Sequence, residues 1–529
     1  MKKEILSILV LWLACCCMQA QSIAVVPQPS EITSTSAPVI LKNGKEIKVY
    51  ITPEAQLEKA YISDLLQEMR LSPVYVSKNK KAQLVLEMKP GVTGNPEEYL
   101  LNIGPKEKNP IHIQAETEAG LRYAMQTLRQ LVYEQNGAVC FPGCKIKDIP
   151  AFSWRAFMLD ESRHFHGMAI VKNLLDEMAR LKMNTFHWHL VDDPGWRIEI
   201  KKYPLLTKIG SKRDFSHREI TPAGWDSIHS ERTYYTQDEI REIIQYAAIR
   251  GIRIIPEIEV PGHASASIAA YPWLGTSSRK EDKPVWGDLY QVTDPKVEQF
   301  LQDVLSEVVA LFPSKIVHIG GDEAGFVHWQ NDKDITAFMK ANNLPTCSDL
   351  QLWAINRASA FLASKGCKMI GWNEITGDNI RNEQHVEASK SEKLAAGTIV
   401  QFWDGEVSLV NKAIQKGYDV VNSNRLFTYL DYPYDAIPLD KAYSFNPIPE
   451  NLPANVSNKI LGTGCQMWGE FTPTPERIYF QTFPRIAAYA ECGWTENSKK
   501  DYKDFCKRMQ KIQQIWDKKG YINTQPLYK

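Results

Sequence analysis

The 529-residue sequence has no excess of charge of either sign, with 62 Lys and Arg against 62 Asp and Glu. That balance argues against the basic face that nucleic acid or an anionic membrane would need, so neither is expected as a partner. The apolar run at residues 5–13 is too short for a permanent bilayer anchor. Cysteine is scarce: of ten, three lie at Cys15, Cys16 and Cys17, which leaves seven further along. An odd number cannot pair completely, and Cys140 and Cys144 either close a local loop or stay as free thiols. No CxxC pair or Cys/His cluster has metal-ligand spacing, so neither a metal centre nor a cofactor is expected. A Ser/His/Asp elbow and a Gly-rich phosphate cradle are also missing, which leaves nucleophilic-serine and nucleotide chemistry without support.

What is present starts with an export signal. Lys2 and Lys3 precede the apolar run, and small residues lead to Ala20 and Gln21, predicting cleavage of a leader spanning 1–20. Lipid attachment at Cys15 or Cys16 is the alternative, so the chain is expected to be periplasmic or outer-membrane-associated. Hydrophobic residues at 44% and charged residues at 23% are globular values, so a sizeable core is available. The 14 Trp and 22 Tyr are plentiful, and such rings either fill cores or make the stacking walls of carbohydrate sites.

Residues 22–150 read as a small mixed α/β domain. Amphipathic helices are predicted over 61–69 and 119–133, with strands around Leu84, Leu86, Leu100, Ile103, Ile111 and Ile113. No cluster of catalytic residue types falls there, and 142–150 reads as a connector. From 151 to 529 the pattern becomes strand, loop, helix. Strands are predicted at 156–159, 184–190, 253–258, 315–319, 368–372, 398–403, 419–423 and 460–468. Helices are predicted at 170–181, 237–250, 297–311, 350–365, 408–416 and 475–491. Eight strands with helices between them, one helix degraded, predict a (β/α)8 barrel that ends in a C-terminal helix.

In such a barrel the chemistry sits at the C-terminal ends of the strands. The fourth strand belongs to KIVHIGGDE (315–323), where Gly320 and Gly321 leave backbone room for a ligand before Asp322 and Glu323. Adjacent carboxylates repel, which raises the proton affinity of at least one and suits it to general acid work. The other strand ends are loaded as well. They carry Asp160, Arg163 and His164; His187, Trp188, His189, Asp192 and Asp193; and Glu257, Glu259 and His263. The later strands add Trp372 and Glu374, Trp403 and Asp404, Tyr429 and Asp431, and Trp468 and Glu470. Any one of these could be a packed ring or a cap, but a barrel built for stability alone would not load a single rim. Carboxylates, one arginine and a set of indoles point to glycoside hydrolysis, in which an acid protonates a leaving oxygen and a cationic centre is stabilised.

These residues resemble a known family. LDESRHF (159–165), FHWHLVDDPGWRIE (186–199), EIEVPGHA (257–264), HIGGDE (318–323), GWNE (371–374), YLD (429–431) and MWGE (467–470) are similar, in order, to motifs of the glycoside hydrolase family 20 β-N-acetylhexosaminidases. The resemblance implies an exo-acting enzyme that removes terminal β-linked N-acetylglucosamine or N-acetylgalactosamine from an oligosaccharide or glycoconjugate. It implies retention through an oxazolinium intermediate, with Glu323 as acid/base and Asp322 holding the 2-acetamido group. Tyr429 would align the acetamido oxygen, and Trp372, Trp403 and Trp468 would wall it in. Arg163 and Glu470 would grip outer hydroxyls, Asp431 would be a further substrate-binding residue, and Asp192 and His263 would support Glu323. His187, His189 and Glu374 are either packing or supporting residues. Between Asp431 and Met467 there is no further Trp, which leaves leaving-group preference open. A two-carboxylate β-glycosidase with Glu374 or Glu470 as nucleophile, and a secreted sugar-binding protein without catalysis, are the rival readings.

Overall fold

The structure, a computed structural model, describes residues 23–35, 37–41, 46–212, 232–378, 388–389 and 393–521; the expected leader lies outside them. The chain divides into two compact units, Met1–Pro150 with Lys503–Gln514, and Ala151–Tyr502 with Ile515–Lys529. Sequence reading placed the whole last helix, observed at Tyr502–Lys518, with the barrel; its middle residues group with the first unit.

The first unit holds a seven-stranded mixed sheet. Its order is Glu31–Ser34, Cys144–Asp148, Tyr99–Ile103, Ile111–Ala115, Leu84–Met88, Glu46–Ile51 and Ser72–Tyr75. Helices Lys59–Glu68 and Glu118–Leu131 bury apolar stripes. The expected connector at 142–150 is corrected here. Residues Cys144–Asp148 form a strand paired on both sides, because Cys144, Ile146 and Asp148 alternate inward with exposed Lys145 and Lys147. Leu100 also sits on the less buried face of its strand, with Tyr99, Leu101 and Ile103 on the core side. All seven cysteines beyond the leader are free thiols, and burial pushes Cys144 up to about 12.

The second unit is a closed parallel barrel of eight strands. They are β1 Trp154–Asp160, β2 Thr185–His189, β3 Arg253–Glu257, β4 Ile316–His318, β5 Lys368–Trp372, β6 Ile399–Phe402, β7 Asp419–Asn422 and β8 Ile460–Met467. The barrel closes where β1 pairs with β8, Trp154 opposite Gly462. Helices alternate with the strands, and their starts are written in the sequence. Thr236 with Glu239, and Thr346 with Asp349, are reciprocal capping boxes, while Asp294 and Pro295 open a third helix. After β5 only a 3-10 turn, Asn373–Thr376, is found among the described residues, at the place of a full helix. The single helix expected over 475–491 is two, Pro475–Thr482 and Arg485–Trp494, because Pro484 lacks the N–H that would continue the ladder.

The barrel interior changes character along its axis. Trp154, Ala156, Ile255, Ile370, Ile399 and Val421 pack as an apolar plug, with Ile316 and Leu461 against it. Strand side chains alternate between faces, so two residues on from each plug residue the next inward position is reached. Ile255 is thus followed by Glu257, Ile316 by His318 and Ile370 by Trp372. The plug gives way to a polar rim in one step. No helix among the described residues is long and apolar enough to cross a membrane.

Candidate active site

The rim is split between the two halves of the barrel. Strands β1 to β4 and the loops after them supply the histidines, Arg163 and most of the linked carboxylates, while β5 to β8 supply four rings together with Glu374, Asp404, Asp431 and Glu470. Glycines open the fourth loop. Gly320 has φ +63°, and a Cβ there would stand 1.6 Å from Oε2 of buried Glu259. Gly321, at φ +92°, would place a Cβ 2.6 Å from Ile375 Cγ2. Glu323 and His263 also hold left-handed backbone, both at φ +48°, which costs on the order of 1 kcal/mol each and aims their side chains. Asp322 is 7% exposed, whereas the Glu323 side chain is 42% exposed, so one carboxylate is enclosed and its neighbour faces the cleft. Gly320→Ala is expected to destabilise the fold by about 2–4 kcal/mol through overpacking and left-handed strain. A urea midpoint unchanged from wild type would remove this account of the glycine.

Behind the pair runs a chain of ion pairs. His263 Nε2 lies 3.6 Å from Asp322 Oδ2 and 3.8 Å from Glu323 Oε2. Its Nδ1 is 3.1 Å from Asp192 Oδ1 and 3.4 Å from Asp193 Oδ2. Burial alone would lower the His263 pKa, but Asp192, Asp322 and Asp193 raise it well above the ordinary value. A cation therefore stands between two pairs of carboxylates. Asp193 is itself anchored by the backbone N–H of Ser265 at 3.0 Å. Asp192 continues to Arg163 at 2.7 Å, and Arg163 reaches Asp160 at 3.1 Å and Glu470 at 3.6 Å. Asp160 Oδ1 meets His189 Nδ1 at 3.2 Å, and His189 Nε2 meets Glu259 Oε1 at 3.3 Å. Burial and the neighbouring Asp322 and Glu257 charges push Glu259 well above the carboxylate range.

On the opposite half four rings close on one another. Trp372 is 6.4 Å from Trp403 and 5.7 Å from Trp468, by ring centroids. Tyr429 is 6.3 Å from Trp403, nearly parallel to it, and 6.0 Å from Trp468. The result is a four-sided aromatic box, one wall each from β5, β6, β7 and β8. Two walls are tied by carboxylates. Trp372 Nε1 donates to Glu257 Oε1 at 2.9 Å, and Trp403 Nε1 donates to Glu374 Oε2 at 2.9 Å. Buried polar atoms remain at this end of the barrel. Asp322 Oδ1, Asp431 Oδ1, the Tyr429 hydroxyl and Trp468 Nε1 complete no hydrogen bond of ordinary geometry among the described residues. Two are donors and two are acceptors, and buried groups of this kind are costly unless a ligand meets them. Burial, then the charges of Asp431 and Asp322, hold Tyr429 well above the phenol range, so its hydroxyl keeps a proton to donate. Arg163 lies over the Trp468 ring at 5.0 Å and joins the charged half to the box.

The structure thus brings Asp322, Glu323, Asp192, His263, Arg163 and Glu470 into one linked array, and Trp372, Trp403, Tyr429 and Trp468 into another. Asp431 sits with Glu470, whose charge, after burial, raises it well above the carboxylate range. Sequence reading placed Asp193, Asp160, Glu259 and Glu257 on the rim but gave none of them a role; the first three complete the charge chain, and Glu257 holds Trp372. Their presence at strand ends was the available signal, but Glu257 and Trp372 are 115 residues apart and nothing local pairs them. Three His/carboxylate groups have ligand atoms within metal-binding reach: His187/Glu257/His318, His189/Glu257/Glu259 and Asp192/Asp193/His263. Their geometry is that of histidine–carboxylate pairing, as in the 2.6 Å contact of His187 Nε2 with Glu257 Oε2.

Comparison with known proteins finds relatives over most of the chain. Residues 152–497 match the model of the glycosyl hydrolase family 20 catalytic domain, and 22–149 match that family's domain 2. A beta-hexosaminidase of Porphyromonas gingivalis is 38% identical over 436 residues, 78% of this chain. The chain spans about half of that protein, 52% of its length. A beta-hexosaminidase of Vibrio furnissii is 33% identical over 498 residues, covering 90% of this chain and 77% of that protein. Among solved structures, an exo beta-N-acetylglucosaminidase from Vibrio harveyi, in complex with N-acetylglucosamine, superposes with a TM-score of 0.81. It is 29% identical, covering 96% of this chain and 79% of the other. A beta-N-acetylhexosaminidase from Bacteroides fragilis gives 0.78 at 29% identity, over 94% and 96%.

Proposed function

The chain belongs to glycosyl hydrolase family 20 and is a glycoside hydrolase, and from that premise we propose that it is an exo-acting β-N-acetylhexosaminidase working by substrate assistance. The observation that carries this reading is the adjacency of Asp322 and Glu323 beside an aromatic box with unsatisfied polar atoms. A terminal N-acetylhexosamine places its acetamido group in the box, against Trp372, Trp403 and Trp468. Asp322 accepts the amide N–H while the Tyr429 hydroxyl donates to the carbonyl oxygen. That oxygen then attacks C1. As the new C1–O bond forms, the bond from C1 to the leaving oxygen breaks, and Glu323 gives that oxygen its proton. The anionic form of Asp322 stabilises the oxazolinium cation, and exclusion of water by the rings strengthens the interaction. Glu323, now ionised, takes a proton from water, which attacks C1 and reopens the ring with net retention.

Arg163, Glu470 and Asp431 supply the groups for the outer hydroxyls, which supports a pocket that admits only a chain end. The leader pattern at 1–20 supports an exported enzyme acting on oligosaccharides or glycoconjugates outside the cytoplasm.

The testing experiment compares a nitrophenyl N-acetyl-β-glucosaminide with the matching β-glucoside at equal enzyme concentration. The acetamido substrate is expected to react at least ~10³-fold faster, since its nucleophile is intramolecular. Comparable rates would mean that the protein supplies its own nucleophile, and the role given to Asp322 would fall. Activity on neither would favour a sugar-binding protein.

A further inference from the structure

Resting on the reading above, we propose that Glu374 is a positioning residue that fixes Trp403 as a wall of the box and so sets the size of acyl group accepted. The argument is geometric. Trp403 follows β6 and is held at three points. Its backbone N–H donates to Asn373 Oδ1 at 3.0 Å, its carbonyl accepts from the Arg425 N–H at 2.8 Å, and its indole N–H donates to Glu374 Oε2 at 2.9 Å. Asn373 and Glu374 are consecutive residues of the 3-10 turn that replaces a helix after β5. Trp372, the neighbouring wall, immediately precedes that turn. One short turn therefore fixes both the angle and the spacing of two adjacent walls, which meet edge-on at 70°. Asn373 also donates to the carbonyl of Asp404 at 3.1 Å, tying the turn to the loop beyond Trp403.

The backbone contacts locate Trp403 along the strand, and the bond from its indole N–H to Glu374, with the nearly parallel Tyr429 ring beside it, sets the rotation of the indole. Without an acceptor there, the indole N–H loses its bond to the turn, and that edge of the wall is held by ring packing alone against a larger acyl group. The nearby carboxylates are Asp322 and Glu323, on the loop after β4. Burial, followed by the charge of Asp322, pushes the Glu374 carboxyl up to about 8. Near neutral pH it is an uncharged acceptor, which a glutamine carbonyl reproduces in shape and charge.

The test measures kcat/KM for nitrophenyl N-acetyl- and N-propionyl-β-glucosaminides at neutral pH. One methylene in a fitted apolar pocket is worth ~10–200-fold, and the wild type is expected to prefer the acetyl substrate within that range. Glu374→Ala is expected to reduce the preference by roughly tenfold, and Glu374→Leu, which fills the space without an acceptor, to do the same. Glu374→Gln is expected to retain the wild-type ratio. If the alanine variant does not fold, the leucine and glutamine variants carry the comparison. A ratio unchanged in Ala or Leu, or one that shifts as far in Gln, overturns the proposal. A wild type inert towards both substrates would instead overturn the function proposed above.

Discussion

Glu323→Gln is expected to bind an N-acetylhexosamine product nearly as well as wild type while losing ~10²–10⁴-fold in kcat on an alkyl or sugar leaving group. The amide keeps the shape of the side chain and can still hydrogen-bond the leaving oxygen, but it has no proton to transfer. The loss should shrink as the leaving group improves, because a nitrophenolate departs without protonation. Plotting log kcat/KM against leaving-group pKa for wild type and variant tests this. The variant line is expected to be much steeper, and parallel lines would take the acid role away from Glu323. The 42% exposure of this side chain, beside an enclosed Asp322, is the feature that suits it to meet a leaving group entering from the cleft.

Asp322→Asn produces a different signature. The carboxylate is expected to act on the acetamido group and not on the leaving oxygen, so the loss should be similar across leaving groups. Removing one preorganised electrostatic partner of a developing charge costs on the order of 10²–10³-fold. The amide would also offer an N–H where an acceptor is needed, which allows the acetamido group to turn away from C1. Rates unchanged from wild type on every substrate would remove Asp322 from the mechanism. The two variants are thus distinguished by the slope of their leaving-group dependence, even where their absolute losses coincide.

The barrel strands were legible because each is a short β-rich run that stops at a charged or aromatic residue, and that punctuation is local. The rim could be read for the same reason, since a strand end is a place the sequence marks. Pairings across the barrel were not legible. Glu257 was visible as an acid at a strand end, but its bond to the Trp372 indole depends on strand register and on inward alternation from Ile255 and Ile370. Glu374 stood between packing and support in the sequence; its acceptor role appears only when β6 lies beside β5. The strand at Cys144–Asp148 was read as a connector because its flanking prolines outweighed an alternation of only five residues. The break at Pro484 was passed over since apolar spacing continues on both sides of it.

The division of the rim has a consequence for how such a protein changes over generations. On the proposed mechanism, proton transfer falls to side chains encoded between Asp160 and Glu323, and fit to the sugar and its acyl group to side chains encoded between Trp372 and Glu470. The contacts that cross from one stretch to the other include Arg163 with Glu470 and the Trp468 ring, Asp160 with the Gly469 N–H, and Trp372 with Glu257 and the His318 ring. Substitutions in the second stretch that keep these crossing contacts can redraw the shape of the sugar that is welcome while the acid machinery is inherited intact.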